Sequence, residues 1–476
     1  MKKTSAMSSA TSDAPRRELP HPFVILFFLA IVATVATYLI PSGAYERVVN
    51  DQGRSIIVNG TYQMTDSTPI GLLDFFNALF QGMSAGSSII FYLIIIGGTF
   101  GVLRQTRAIE GLVALILRKL AGREILIIPI MMVFFATCSA TYGMIEGSII
   151  YIFILLPLVR RAGYDAIVAA AIPLIGTAIG YTGSFLNPFN VGVAQTIAGL
   201  PLFSGMSFRI LCWVILVSLS AGYVMLYARR VQANPLRSYV HDIVHDTATA
   251  DADDAPAIAE LNRRHLWILA AFAISLAVVI YGSSTLGWYL KEMAGMFFLL
   301  GIVTGILGGM KVNDIARAFS NGCKDMMEGA LAVGLAYTIV VIVQESQTID
   351  TIIHFLSDIV SGASSTLASL GMFAAQSLMN FIVTSGSGQA ALTMPVMVPL
   401  ADLADVNRQV AVLAFQFGDG ISNAFTPTAG WLMAGLAIAG VPWSRWMRFM
   451  LPLIVVLYGT CAVLVLIANQ FIWPAA

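Results

Sequence analysis

The sequence predicts an all-α polytopic membrane protein, built as an inverted repeat with two re-entrant hairpins and two broken helices. Three observations carry this prediction. Apolar residues make up 58% of the chain and charged residues only 11%, against roughly 25% charged in an average soluble chain. The chain matches itself at a nearly constant spacing. Its most informative polar residues fall inside apolar segments instead of between them.

The stretches near 21 to 41, 85 to 103, 207 to 228, 265 to 284, 293 to 310, 325 to 343 and 449 to 470 each approach the roughly 20 apolar residues that cross a bilayer. Lipid is therefore one partner. Net charge is zero, so no global field points to nucleic acid. Cys138, Cys212, Cys323 and Cys461 lie far apart in apolar segments and read as packing residues, with no metal or disulfide spacing.

Residues 1–20 form a polar leader with Lys2, Lys3, Arg16 and Arg17. A cleaved signal peptide is the rival reading of the run that follows, with Ser42-Gly43-Ala44 as a weak cleavage-like site. It is rejected because that run has a counterpart in the second half.

The repeat appears on self-comparison. Asp74, Ala78 and Gly82 stand 240 residues before Asp314, Ala318 and Gly322, and Ile109-Glu110 the same distance before Ile349-Asp350. Pro157 and Gly176 match Pro399 and Gly418 at a spacing of 242, and Ala198-Gly199-Leu200-Pro201 matches Ala439-Gly440-Val441-Pro442 at 241. Internal repeats of this kind are common in transporters. The first copy is placed at 21–228 and the second at 287–476. Between them lie a polar linker, 229–264, with an acidic, Ala-rich middle from Asp246 to Glu260, and an extra span, 265–286, that inverts the second copy. The basic residues of leader and linker put both in the cytoplasm. The expected location is the bacterial cytoplasmic (inner) membrane.

The first hairpin is placed at 124–160. Arg118, Lys119 and Arg123 precede it and Arg160 and Arg161 follow it, so both outer ends face one side, while its middle, Ser139 to Gly147, is too polar for lipid. Two ordinary spans with a short loop are the alternative. The second hairpin, 366–403, turns at Asn380 to Gln389 and is flanked by Asp350, Asp358, Asp402 and Asp405, which suits entry from the opposite face. Each hairpin precedes a segment too long for one continuous span, 165–199 and 407–440. These are expected to be interrupted by Gly183 to Asn190 and by Ser422 to Thr428, because the proline in each lacks a donor and clashes with the preceding turn. Segments 107 to 121 and 347 to 361 are amphipathic and read as interfacial arms. Residues 42 to 66, with Gly53 and Asn59-Gly60, read as an outer loop with a small hairpin.

Polar side chains at membrane depth are costly and usually mark a site or pathway. The candidates are Ser139, Thr141, Gly143 and Glu146 at the first tip, and Ser385, Ser387, Gly388 and Gln389 at the second. Asn187 and Asn190 mark the first break, and Asn423, Thr426 and Thr428 the second, with Asp419 just before it. Any one Gly or Ser is more simply a helix-packing residue. The matched placement of Asn and Pro in both breaks, and of Gly beside hydroxyls in both tips, favours a site. Hydroxyl, amide and backbone oxygens suit Na⁺ or a hydrogen-bonding solute, and half-helix N-termini suit a carboxylate. Glu146 and Asp419 have no basic neighbour in sequence, so each is expected to take a proton, bind a cation or face a cationic substrate group. An acid at the edge of a water-filled vestibule is the bland reading, as strong as the functional one for Asp419 and weaker for Glu146. No Lys or Arg is visible at midplane, which weighs against an arginine-clamped dicarboxylate site.

There is no GxxxxGK[ST] loop for ATP, no HExxH and no GxSxG. His21, His241, His245, His265 and His354 lie near a terminus, the linker or a surface. No enzyme activity and no cofactor are expected beyond a coupling ion, Na⁺ or H⁺, with Na⁺ placed at the hairpin tips.

The tip Thr384-Ser385-Gly386-Ser387-Gly388-Gln389 and the run from Phe415 to Thr428, with Phe417-Gly418-Asp419-Gly420 and Ser422-Asn423-Ala424-Phe425-Thr426-Pro427-Thr428, resemble the YfcC family of the ion transporter superfamily. That family is similar to the anaerobic C4-dicarboxylate carriers and to the arginine/ornithine antiporters. The resemblance covers the chain from about residue 20. It implies a scaffold domain and a moving transport domain that carries both tips, commonly in a homodimer. In relatives with Ser-Asn-Thr tips, those residues bind Na⁺ and substrate carboxylate. Here the tips are Ser-Ala-Thr at 139–141 and Ser-Gly-Ser at 385–387.

The expectation is a secondary active transporter of a small carboxylate-bearing metabolite. An amino acid is preferred, with basic amino acid antiport in view and a C4-dicarboxylate as alternative. A passive channel is disfavoured because hairpins from opposite faces suit alternating access, and a sensor because the linker carries no signalling domain.

Overall fold

The computed structural model describes residues 22–49, 55–58, 60–66, 68–120, 122–243, 261–360 and 364–474. The leader 1–20, the acidic middle of the linker, Gly53 and Asn59 lie outside the described residues.

The first copy opens with α1 (Pro22–Ala36). Four short strands follow: β1 (Gly43–Ala44), β2 (Arg47–Val49), β3 (Ser55–Ile57) and β4 (Gln63–Met64). β2 pairs with β3 inside the antiparallel pair β1 and β4, so the expected small hairpin is two nested ladders. Then come α2 (Leu72–Ala85), α3 (Ser87–Gln105) and α4 (Ala108–Lys119). Hairpin 1 is α5 (Ile127–Tyr142) and α6 (Tyr151–Arg161). The first broken helix is α7 (Ala166–Thr182), a π-turn at Pro188–Gly192, and α8 (Val193–Ile197). The copy closes with α9 (Met206–Ala233).

After the linker, α10 (Arg263–Thr285) is the extra span. The second copy repeats the order: α11 (Leu290–Leu307), α12 (Val312–Asp325), α13 (Met327–Glu345) and α14 (Ile349–Val360). Hairpin 2 is α15 (Ser365–Met379) and α16 (Gly386–Leu403). The second broken helix is α17 (Arg408–Ser422) and α18 (Gly430–Ala439), and α19 (Trp443–Ile467) closes the chain. Among the described residues, seven helices are long and apolar enough to cross a membrane.

Packing follows the repeat. α2 lies on α13 and α3 on α12, each pair made of one helix from each copy, and α1 on α13 mirrors α11 on α3. The residues matched on self-comparison mark these contacts. The buried positions of α2 are Ala78 and Gly82, and those of α12 are Ala318 and Gly322. A Cβ at Gly82 would overlap the Thr338 backbone of α13, and one at Gly322 the Gly97 carbonyl of α3. Two helix backbones touch there, which only a residue without a side chain permits.

Two large hydrophobic cores result. One joins α5, α6, α7 and α9 with α15, α17, α18 and α19. The other joins α1, α3, α10, α11 and α13, with α8 and α16 added. A cleft of about 730 Å³ is lined from α13 by Tyr337, Val340 and Gln344, and from α16 by Pro395, Val398 and Pro399.

Two expectations are corrected. The spans at 85 and 325 are preceded by separate helices, α2 and α12; the polar exposed face of α12, with Asn313, Arg317, Asn321 and Lys324, hid the latter from a hydropathy reading. Tip residues Gly386 to Gln389 form the first turn of α16, not an open loop. The two interruptions fall where the sequence places them, at Gly183 and at Ser422. α7 stops at Thr182, well before Pro188, and α17 at Ser422, before Pro427. Pro188 opens the turn that follows, where its missing N–H costs nothing.

Candidate functional site

Asp419 lies in the last turn of α17 and is fully buried. Its Oδ1 accepts from Asn423 Nδ2 at 3.1 Å, and its backbone oxygen accepts from Asn423 Nδ2 at 2.9 Å and Asn380 Nδ2 at 3.0 Å. Its Oδ2 accepts no well-formed hydrogen bond, although Tyr181 of α7 and Asn190 lie within interaction range of the carboxylate. A Cβ on Gly386 would meet both the Tyr181 hydroxyl and Asp419 Oδ2. Glycine at the start of α16 is what lets hairpin 2 close onto this carboxylate.

The amide orientations around it are forced. Asn380 and Asn423 both face oxygens that only accept, so each must present Nδ2 there and leave Oδ1 over. Neither Oδ1 has a donor. Gln389 behaves likewise: its Nε2 binds the Gln376 backbone oxygen at 2.9 Å and Gln376 Oε1 at 2.8 Å, and its Oε1 is left unpaired. Gln376 also binds Thr393 Oγ1 at 2.9 Å, which ties the two arms of hairpin 2 together. Buried polar groups are normally satisfied. Asp419 Oδ2, Asn380 Oδ1, Asn423 Oδ1 and Gln389 Oε1 are thus buried acceptors without a protein donor.

The first break is arranged around Asn187. Its Oδ1 accepts from Phe189 N at 2.8 Å and its Nδ2 donates to the Ser139 backbone oxygen at 2.9 Å, joining hairpin 1 to the broken helix. Gly143 ends α5 with φ +75°, and a side chain there would strike the Phe189 ring. Asn190 accepts from Ser184 Oγ at 2.8 Å and donates to Tyr181 O at 3.3 Å.

The remaining candidates separate. Ser139 is buried with its Oγ unpaired. Ser385 caps α16 through the Gly388 N–H, and Ser387 Oγ faces Gly329 of α13. Thr141 is bonded back to Thr137 O at 2.7 Å, and Thr426 and Thr428 pair with one another at 2.9 Å, with no bond to Asp419. Glu146 is exposed at the hairpin 1 tip, in the field of Arg104, Asp325 and Glu328. Of the two acids, Asp419 is thus buried and Glu146 exposed.

Sequence reasoning also passed over Arg209. It stands at the start of a span and reads as a membrane-edge residue, yet it is fully buried, bonded to Gln416 and, at 3.2 Å, to Gln409 Oε1. Tyr181, Asn380, Gln376 and Gln416 were likewise not singled out. Asn380 and Gln416 stand within the quoted motifs, and their spacing of one helical turn from Ser377 or Asp419 was the available signal.

A family model described as C4-dicarboxylate anaerobic carrier, DcuC, matches residues 19–470. A protein of Escherichia coli (strain K12) named "Putative basic amino acid antiporter YfcC" is 35% identical, with 97% of this chain and 98% of that protein covered. The YdaH transporter of Alcanivorax borkumensis, described as having an unusual topology, superposes with a TM-score of 0.72 at 18% identity, covering 96% of this chain and all of that one. MtrF of Neisseria gonorrhoeae, from a class of antimetabolite efflux pumps, gives 0.65 at 15% identity with 95% of each chain covered.

Proposed function

Because the chain belongs to the DcuC family of C4-dicarboxylate anaerobic carriers, and so is a multi-pass membrane transporter, we propose that it carries a basic amino acid across the bacterial inner membrane. On this reading it works by alternating access as a secondary antiporter, with the N-terminus cytoplasmic. The observation that supports the substrate class is Asp419. A buried carboxylate with an unpaired oxygen, on a residue held by Asn380 and Asn423 whose own amide oxygens are unpaired, complements a cation and repels a second carboxylate. The substrate's own carboxylate has a separate partner in the N-terminus of α16, whose first-turn N–H groups and dipole favour an anion. The relative named for basic amino acid antiport is consistent with this.

A dicarboxylate is the second reading, favoured by the description of the family model. It would need a cationic clamp. Arg209, the buried arginine of the described residues, is already engaged by two glutamines.

Uptake by proteoliposomes decides between them. With arginine, lysine, ornithine, succinate and fumarate offered separately, the basic amino acids should enter fastest. Faster entry of succinate than of arginine refutes the proposal.

A further inference from the structure

The repeat gives the protein two helix breaks in equivalent places, after Thr182 and after Ser422. Each helix ends with carbonyls that lack intrahelical donors and with the negative end of its dipole. Each break is therefore a natural place for a cation. The two are finished in opposite ways.

At the first, three backbone carbonyls take side-chain amide donors. Tyr181 O takes the Asn190 amide at 3.3 Å, and Gln416 Nε2 reaches across from α17 to Thr182 O at 2.8 Å and Ser184 O at 2.7 Å. Gln416 is held in that pose by Arg209, whose guanidinium binds its Oε1. The pose is not a choice of assignment: a guanidinium only donates and a carbonyl only accepts, so the amide can face them one way only. Arg209 itself is fully buried, bonded to Gln409 and stacked near Trp473 at 5.7 Å, and among the described residues no carboxylate pairs with it. A permanent charge sits in the core facing the end of a broken helix. At the second break, the donors of Asn380 and Asn423 are spent on Asp419, and three acceptors are left over: Asp419 Oδ2, Asn380 Oδ1 and Asn423 Oδ1.

We propose that Arg209, acting through Gln416, is a tethered cation that occupies the first break, so that the protein takes up one monovalent cation, at the second break around Asp419. Arg209 is then a positioning residue that fixes how many ions bind. This rests on the reading of Asp419 as a cation partner, but not on the identity of the transported solute. The bound cation is Na⁺ or the ammonium of the substrate, since the same oxygens suit both.

Equilibrium binding of radioactive Na⁺ to the purified full-length chain tests it, with choline as the control cation and with arginine as competitor in a second arm. Arg209→Met removes the tethered charge and frees Gln416 Oε1 to join Thr182 O and Ser184 O. It should bind one more Na⁺ per chain than the parent, whereas Arg209→Lys should match the parent. Gln416→Glu neutralises the guanidinium and withdraws both donors, and should gain the same ion, which covers the case in which Arg209→Met does not fold. If the parent's cation is the substrate ammonium, the parent binds no Na⁺, yet the difference of one remains. A purely packing role for Arg209 changes thermal stability without changing the ion count. Folded variants that bind no more Na⁺ than the parent overturn the proposal, as does failure of both variants to fold while Arg209→Lys does. Loss of uptake for every solute in the panel above would refute the transport reading and leave the ion count decisive here.

Discussion

Two acids without basic neighbours in sequence end in different surroundings, and the difference separates their roles. Asp419 is enclosed by Asn423, Asn380, Tyr181 and Asn190, whereas Glu146 is exposed at the hairpin 1 tip. Removing the buried charge should therefore cost more. Asp419→Asn is expected to lower uptake roughly 5–150-fold, the range of a lost coupling between bound species, while Glu146→Gln keeps most of the parent rate. Equal losses in initial-rate assays would contradict this division. The identity of the acids was legible in the sequence because unpaired carboxylates in apolar runs are rare. Their burial was not, since it depends on Tyr181 and Gly386, which approach Asp419 from α7 and α16 and are far from it along the chain. Arg209 was missed for a related reason. Three residues into α9, it looks solvated by position, but Gln409, Gln416 and Trp473 close over it from the second copy.

At the level of elements, the helix breaks and hairpins were readable because glycine, proline and asparagine interrupt apolar runs at matched positions. Their ends were less so. At the ends of α7 and α17 side-chain amides meet the backbone carbonyls, and two of these donors, Gln416 and Asn380, come from elements far away in sequence. The α2 and α12 helices show the converse case. The alignment of Gly82 with Gly322 was visible without any sign of what the glycines do. In the fold each lets a helix of one copy lie directly on a helix of the other. Gly322→Val would push a side chain into the Gly97 carbonyl, so a loss of at least about 1–3 kcal/mol is expected, seen as a lower melting temperature in detergent. Gly371→Ala, at a position with open space around it, should match or slightly exceed the parent, because alanine loses less chain entropy in a helix. Equal destabilisation by both substitutions would remove the packing explanation.

The whole molecule holds two hydrophobic cores that share α16 and α17, with the cleft opening between α13 and α16 of the second. α16 also carries Gly386 onto Asp419, so any sliding of α16 moves the candidate site with it. That arrangement suits a protein which exposes one site to each side in turn, and such a protein exchanges solutes instead of conducting them. Counterflow tests this directly. Proteoliposomes preloaded with unlabelled arginine should accumulate labelled arginine from a dilute external pool, transiently and with saturation, and those preloaded with succinate should not. Label that enters at a rate linear in concentration and indifferent to the internal solute would contradict the account.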